Sequence, residues 1–393
     1  MEQPERIFSF ESLRRFPDVE AVNLFAADAA DRLLLDTAGG LLRSAAHGTV
    51  AVIGDRYGAL TLGAAALYGQ RGLRVHQDLR SGQLALANNA EALDLAGSFS
   101  QHTLGTELLA GACLVLAQLP RSLDELDELA DAVARHALPG AALLATGRVK
   151  HMGTGMNRVL GQHFGSVTAG LARQKARVLT ATLPLPGPAA SGYPKREFHP
   201  DLGLWLCAHG AVFAGTSVDI GTRFLLDFLD RARPGAVTAV DLGCGSGLIA
   251  AALASARPQL RVIATDQSAA AVASAAATAD ANGVGERITA VHEDAMGTFP
   301  AGSQELVVLN PPFHLGSSVH AGAALKLFDA AARVLAPGGE LWCVYNRHLD
   351  YAAQLERRVG RTSVVGRSAK FCVSVSVRRD NSRAGAGAAE LSR

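Results

Sequence analysis

Two stretches of this chain, 49–58 and 236–247, follow one pattern: an apolar run closes on spaced glycines and a second apolar run opens after them. The first reads Thr49-Val50-Ala51-Val52-Ile53-Gly54-Asp55-Arg56-Tyr57-Gly58, and the second ends Val240-Asp241-Leu242-Gly243-Cys244-Gly245-Ser246-Gly247. A short apolar run bounded by turn residues reads as a buried strand, and the Ala- and Leu-rich run behind it reads as a helix. Glycine lets such a turn bend sharply and lie close to a ligand, because no Cβ stands in the way. Strand, glycine turn and helix together predict the edge of a parallel sheet in an α/β domain. Recurrence at about half the chain length predicts an internal duplication and therefore two tandem Rossmann-like domains. With 393 residues and 49% hydrophobic content the chain is long enough for both cores.

Other segments repeat in the same order. Arg74-Val75-His76-Gln77-Asp78 parallels 261–266, Leu114-Val115-Leu116-Ala117-Gln118 parallels the strand that enters Asn310, and Leu138-Pro139-Gly140 parallels Ala336-Pro337-Gly338. The first copy departs where a ligand would lie. Val52 holds the place of Asp241, Arg56 holds that of the middle glycine, and Gln118-Leu119-Pro120-Arg121 replaces Asn310-Pro311-Pro312-Phe313. The first copy is read as degenerate, retaining the fold without a cofactor site, with Asp78 a remnant of the acid at Asp266.

In the second copy the strand ends carry the chemistry. Asp241 with Gly243 and Gly245 forms the glycine turn, a pattern that alone could serve a dinucleotide, a phosphate or S-adenosylmethionine. Asp266 closes the next strand, where a carboxylate can accept both hydroxyls of a ribose. Asp294-Ala295 closes a third, suited to an adenine amino group, and Asn310-Pro311-Pro312-Phe313-His314 a fourth. No lysine follows the glycines as in a nucleoside triphosphate loop. These strand ends in this order resemble the class I S-adenosylmethionine-dependent methyltransferases. The tetrapeptide at 310–313 resembles the signature of those that methylate a planar nitrogen. The Asn310 oxygen and Pro311 carbonyl would accept from the amine, the rigid Pro311-Pro312 turn would hold position, and Phe313 would stack on the flat ring.

The remaining segments set expectations for the surroundings. Residues 22–35 show helical spacing, 198–213 read as a hairpin around His209-Gly210, and a helix is expected over 222–230. Phe213 and Asp219, just before the glycine turn, are expected either to fold over the methionine end of the cofactor or to serve as packing and a helix cap. Between Ala141 and Arg196 there is no Asp or Glu, while Arg148, Lys150, Arg158, Arg173, Lys175, Arg177, Lys195 and Arg196 all lie there. Such a strip is either a solvated face or a track for RNA phosphates, and the absence of acids favours RNA. Since the net charge is only +1, any RNA footprint must be a local patch. Arg347 and His348, at the end of a later strand, are placed to reach substrate or solvent.

The five scattered cysteines, without a C-x-x-C pair, read as reduced thiols and not as a metal site. The charged amino terminus and the lack of a run near ~18 apolar residues predict a soluble, cytoplasmic protein with no membrane contact. The domains are expected at 1–185 and 198–380, with a linker at 186–197 and a disordered tail at 381–393.

The chain as a whole resembles the bacterial ribosomal RNA guanine-N2 methyltransferases, in which a degenerate methyltransferase copy precedes an active one. It is more similar to the 23S than to the 16S enzymes. Leu13-Arg14-Arg15-Phe16-Pro17, Gln174-Lys175-Ala176-Arg177, Val218-Asp219-Ile220-Gly221, Asn310 to His314 and Asn346-Arg347-His348-Leu349-Asp350-Tyr351 carry that likeness. It implies S-adenosylmethionine as cofactor, 23S rRNA as partner and methylation of an exocyclic guanine N2. His314 is then either a substrate-orienting group or a proton acceptor. No metal and no oligomer beyond a monomer are expected. The rival readings are methylation of 16S rRNA, of a protein glutamine or of DNA adenine, and a non-catalytic RNA-binding assembly factor.

Overall fold

A computed structural model of the chain describes residues 8–188, 190–312 and 318–379. The tail expected at 381–393 lies outside them. The chain divides into two compact units, Met1–Tyr193 with His209–Ala211, and Pro194–Ala208 with Val212–Arg393. No helix among the described residues is long and apolar enough to cross a membrane.

The first unit is built on β1 (Val50–Ile53), β2 (Leu73–His76), β3 (Phe99–Gln101), β4 (Leu114–Gln118), β5 (Ala142–Arg148), β6 (Phe164–Ala169) and β7 (Ala176–Pro184). They form one sheet in the order β3-β2-β1-β4-β5-β7-β6. Pairing is parallel as far as β5 and antiparallel on either side of β7.

The second unit opens with a hairpin, β8 (Lys195–His199) and β9 (Leu204–Ala208). It continues with β10 (Thr238–Leu242), β11 (Arg261–Asp266), β12 (Ile288–His292), β13 (Gln304–Leu309), β14 (Leu335–Asn346), β15 (Gly360–Arg367) and β16 (Phe371–Arg378). Its sheet order, β12-β11-β10-β13-β14-β16-β15, repeats that of the first unit strand for strand. The duplication expected from the sequence is thus present in the topology.

Side chains of one strand alternate between faces, so each sheet separates two apolar layers. Val50 and Val52 enter one layer of the first unit, and Ala51 and Ile53 the other. In the second unit Ala239 faces one layer, while Val240 and Leu242 face the opposite one. Both sheets reverse direction of growth beside their central strand, β1 or β10, which opens a crevice at the strands' carboxyl ends.

Several elements differ from the sequence reading. The helix expected over 22–35 begins only at Ala29 and runs to Ser44. Asp28 starts it by a reciprocal cap: its Oδ1 accepts the Ala30 N–H at 2.7 Å, and Asp31 Oδ2 accepts the Asp28 N–H at 2.8 Å. Val22, ahead of the cap, is fully exposed. The hairpin turns between His199 and Leu204, ahead of His209-Gly210, and Lys195, Arg196 and Glu197 of the stretch 186–197 are already strand. Asn282 pins β9 by accepting from Trp205 N–H at 2.9 Å and donating to its carbonyl at 2.8 Å. The helix expected over 222–230 spans Ile220–Leu226, with a 3-10 turn at Leu229–Arg231. The edge strand β15 has no counterpart in the sequence reading.

Candidate active site

The glycine turn follows β10. Gly243, Gly245 and Gly247 have φ of 74°, 54° and 78°, a left-handed conformation that side chains disfavour. A Cβ on Gly247 would lie 2.6 Å from Ala275 Cα, so this position is closed on steric grounds as well. A Cβ on Gly243 or Gly245 would meet nothing within 4 Å. Those two glycines therefore border open space above the turn, where a ligand can lie close against the backbone.

Asp241 lies beneath the turn and is wholly buried. Its Oδ2 accepts the Ala250 N–H at 3.0 Å, tying the first turn of the following helix, Leu248–Ala256, to β10. Its Oδ1 is buried without a hydrogen-bond partner among the described residues. Burial pushes this carboxyl up to about 7. Asp266, at the end of neighbouring β11, accepts from Gly245 N–H at 3.1 Å and Ser268 N–H at 2.9 Å. One acid thus braces the strand–helix junction, and the other is held against the glycine turn itself.

Asp294 follows β12 and receives a charge-assisted bond from Lys326 at 2.5 Å. Its carboxylate therefore already has a cationic partner, one not foreseen in the sequence. Ala295 and Met296 after it both take positive φ, 53° and 56°, which turns the chain sharply beside that acid.

Asn310 directly follows β13 and is the most tightly specified polar group of the site. Its Nδ2 donates to Asp219 Oδ2 at 3.0 Å and to Thr222 Oγ1 at 2.8 Å. Asp219 Oδ2 also caps the helix Ile220–Leu226 by accepting the Thr222 N–H at 2.9 Å. Because a carboxylate only accepts, the amide must turn its NH2 toward Asp219. Both amide hydrogens are engaged, and Oδ1 is left buried with no partner among the described residues. Asp219 is thus both helix cap and partner of Asn310. Thr222 is a site residue the sequence reading missed.

Pro311 is buried and Pro312 exposed. Phe313 and His314 lie outside the described residues. Phe213 is 72% exposed. Arg347 and His348 form an exposed 3-10 turn after β14, with the Arg347 guanidinium 3.4 Å from the Ser368 carbonyl.

In the first unit, strand register fixes which residues stand where these do. Val52 pairs with Val75 as Asp241 pairs with Ala264, so two residues further along Gln77, not Asp78, occupies the place of Asp266. Gln77 Oε1 takes the matching position, 3.4 Å from Leu79 N, as Asp266 does with Ser268. Arg56 stands in the place of Gly245. Asp55, wholly buried, accepts the Thr61 N–H at 2.7 Å, the amide that corresponds to Ala250. The Asn310 clamp also persists in altered form, with Gln118 Nε2 donating to Asp31 Oδ1 at 2.6 Å.

The acid-free span does not form one uniform strip. Arg148 pairs with Asp28 at 2.8 Å, Arg173 pairs with Asp36, and Arg177 is partly buried. Arg196 belongs to β8 and lies over the Trp205 ring at 4.1 Å. Lys150 and Lys175 are exposed and make no ion pair among the described residues.

A family model described as methyltransferase small domain matches residues 203–375, and one described as RLMG N-terminal domain matches 1–184. The chain is 34% identical over 379 residues to Ribosomal RNA large subunit methyltransferase G of Streptomyces avermitilis, covering 94% of this chain and 97% of that one. It is 36% identical over 369 residues to the protein of the same name from Stutzerimonas stutzeri, covering 93% and 96%. Among solved structures, a T. thermophilus 16S rRNA N2 methyltransferase in complex with AdoMet and guanosine superposes with a TM-score of 0.70. It is 23% identical and the match covers 90% of this chain and 92% of that one, a likeness of fold across both domains.

Proposed function

This chain belongs to the ribosomal RNA large subunit methyltransferase G family, and we propose that it methylates the exocyclic N2 of a guanine in 23S rRNA, using S-adenosylmethionine. The observation that carries this reading is Asn310. Its amide is anchored through both hydrogens, and it keeps one buried acceptor oxygen that has no partner among the described residues and that a ligand N–H would satisfy.

The second domain suits the cofactor. Open space borders Gly243 and Gly245, Asp241 holds a buried oxygen without a partner among the described residues, and the Asp266 carboxylate lies at the end of β11. Asp241 and the two glycines would hold the methionine end, Asp266 the ribose, and Asp294 with Ala295 the adenine, with Phe213 folding over the bound molecule. Once bound, S-adenosylmethionine supplies an electrophilic methyl group on its sulfonium.

The chain's own residues then act by orientation. Asn310 Oδ1 accepts one hydrogen of the guanine amine and the Pro311 carbonyl accepts the other, which turns the nitrogen lone pair out of the ring plane and toward the methyl. Phe313 stacks on the base, and His314 orients it or takes the proton. Aligning a weak nucleophile is the main task, and the proton can leave to water. Arg347 and His348, at the same sheet edge, would contact the RNA around the target.

The test is to incubate labelled S-adenosylmethionine with deproteinised 23S rRNA, deproteinised 16S rRNA and assembled subunits, then digest each RNA to nucleosides. Label in N2-methylguanosine from 23S rRNA is expected. Label in another nucleoside, or in 16S rRNA alone, would overturn the assignment.

A further inference from the structure

The first unit holds a cavity of about 950 Å³. It opens over the carboxyl ends of β4 and β5 and the start of the helix Ala29–Ser44, where Gln118, Arg148 and Asp28 line it. In the second unit the matching elements carry Asn310, Asn346 and Asp219. The cavity therefore occupies the substrate half of the degenerate site. On its cofactor side, Arg56 replaces a glycine, Gln77 replaces the ribose acid and Val52 replaces the buried aspartate, so the features that suit S-adenosylmethionine are gone.

The lining has a definite charge. Arg56, Arg121, Arg148, Lys150 and Lys175 all border it. Arg148 is matched by Asp28, while the other four make no ion pair among the described residues. The second acid in the wall, Asp31, is buried and held by Gln118, and burial raises its carboxyl to about 7, so much of it is neutral at neutral pH. Arg121, Lys150 and Arg148 crowd His151 closely enough that burial and their charges lower its pKa. Beside the cations stand apolar groups, Met152, Leu119 and Phe25, the last 75% exposed. A concave wall that joins several cations lacking an ion-pair partner among the described residues to an exposed ring suits a flat base with an attached phosphate. It disfavours a ligand carrying its own sulfonium and ammonium charges.

We propose that the degenerate copy is a second nucleotide pocket, which takes an unpaired ribonucleotide of the substrate RNA, its phosphodiester on Arg121 and Lys150 and its base against Phe25 and Met152. This rests on RNA being the substrate, and on no other part of the proposed reaction. The retired site would then fix the register of the RNA, in addition to any diffuse attraction from the acid-free span.

Fluorescence anisotropy with a short, labelled single-stranded oligoribonucleotide and the full chain, without cofactor, tests this directly. The charge reversals Arg121→Glu with Lys150→Glu lie at exposed positions. They should weaken binding about tenfold or more and flatten the salt dependence by roughly 0.7 for each phosphate that is no longer neutralised. The control Arg158→Glu is exposed, lies in the same acid-free span and does not border the cavity. It should change affinity less than about twofold. Unchanged cofactor affinity and melting temperature would show that the double variant is folded, and the paired reversal should raise KM for rRNA without lowering kcat. If Arg158→Glu costs as much as the pocket pair, or if the pair binds like wild type, the pocket is overturned and only diffuse charge remains. If wild type does not bind the oligoribonucleotide yet methylates rRNA, the pocket fails and the reaction stands. If the oligoribonucleotide result holds but no rRNA is methylated, the reaction fails and the pocket stands.

Discussion

Asn310 and Asp219, separated by 91 residues in sequence, share a 3.0 Å hydrogen bond in which the amide donates and the carboxylate accepts. The same carboxylate caps the helix that carries Thr222, the second acceptor of that amide. A helix start and a strand end thus fix one side chain from two directions. In the proposed reaction, the orientation of the target amine would depend on an oxygen that is held by the hydrogen bonds of its own amide nitrogen.

Asn310→Ala should lower kcat on the order of 100-fold or more, since it removes a positioned polar group at the reacting nitrogen. Cofactor affinity should stay near wild type. Single-turnover transfer together with a cofactor titration checks both, and near-normal turnover would contradict the amine clamp.

Thr222→Val keeps the side-chain volume but leaves one hydrogen of the Asn310 amide without its acceptor. A loss of about tenfold in kcat is expected, with KM for RNA unchanged. Asp219→Ala removes the helix cap as well, so it should also cost about 1 kcal/mol of stability in denaturant unfolding.

Gly247→Ala and Gly243→Ala should separate folding from ligand binding. At Gly247 the new Cβ meets the backbone of Ala275, so a destabilisation on the order of 2–3 kcal/mol is expected. At Gly243 it meets open space and the cost is the left-handed φ alone, about 1–2 kcal/mol, yet cofactor affinity should fall sharply. Thermal unfolding with and without cofactor distinguishes the two.

The Asp241 carboxyl, raised by burial to about 7, links stability to pH. A raised folded-state pKa means that the protonated form suits the fold better. The contribution is therefore fully present below the ordinary carboxylate pKa and is lost as pH rises through about 7. Between about pH 5 and about pH 8 the wild-type melting temperature should fall more steeply than that of Asp241→Asn. A cationic ligand group at Oδ1 acts in the opposite sense, so wild-type cofactor affinity should rise over that interval while the variant's stays low and flat.

A binding titration should return one cofactor per chain. Arg56→Gly should leave that number at one, because Val52 and Gln77 still lack the carboxylates that their counterparts provide. A second equivalent bound by this variant would mean that Arg56 alone closed the first site.

What was legible in the sequence was local. The glycine turns, the apolar strands and the acids at strand ends lie within a few residues of one another, and both sheets follow from them. Thr222 was not legible because its bond to Asn310 spans 88 residues, and Lys326 reaches Asp294 across 32. Matching acid to acid aligned Asp78 with Asp266, a slip of one residue that only the strand ladder corrects in favour of Gln77. The helix over 22–35 failed because apolar spacing extends past the Asp28 cap, while the reciprocal bonds with Asp31 fix where the first turn begins. β15 carries two glycines and several polar residues on the sheet edge, so it lacks the apolar alternation of a half-buried strand.

The two buried acids, Asp55 and Asp241, reach corresponding helix amides from different backbone positions. In the second copy Asp241 Oδ2 tethers the helix, and in the proposed reading Oδ1 would meet the cofactor. The first copy makes the same tether from the position that Cys244 holds in the second, and Asp55 Oδ1 is likewise buried without a hydrogen-bond partner among the described residues. Replacing Asp241 by a residue without an acceptor oxygen therefore confounds a loosened helix with a weakened hold on the ligand. Moving the acid, by Asp241→Val together with Cys244→Asp, would transplant the first copy's anchoring into the second. The silent half of the duplication thus serves as an internal control experiment, already run, for which atoms of the active half are needed for folding alone.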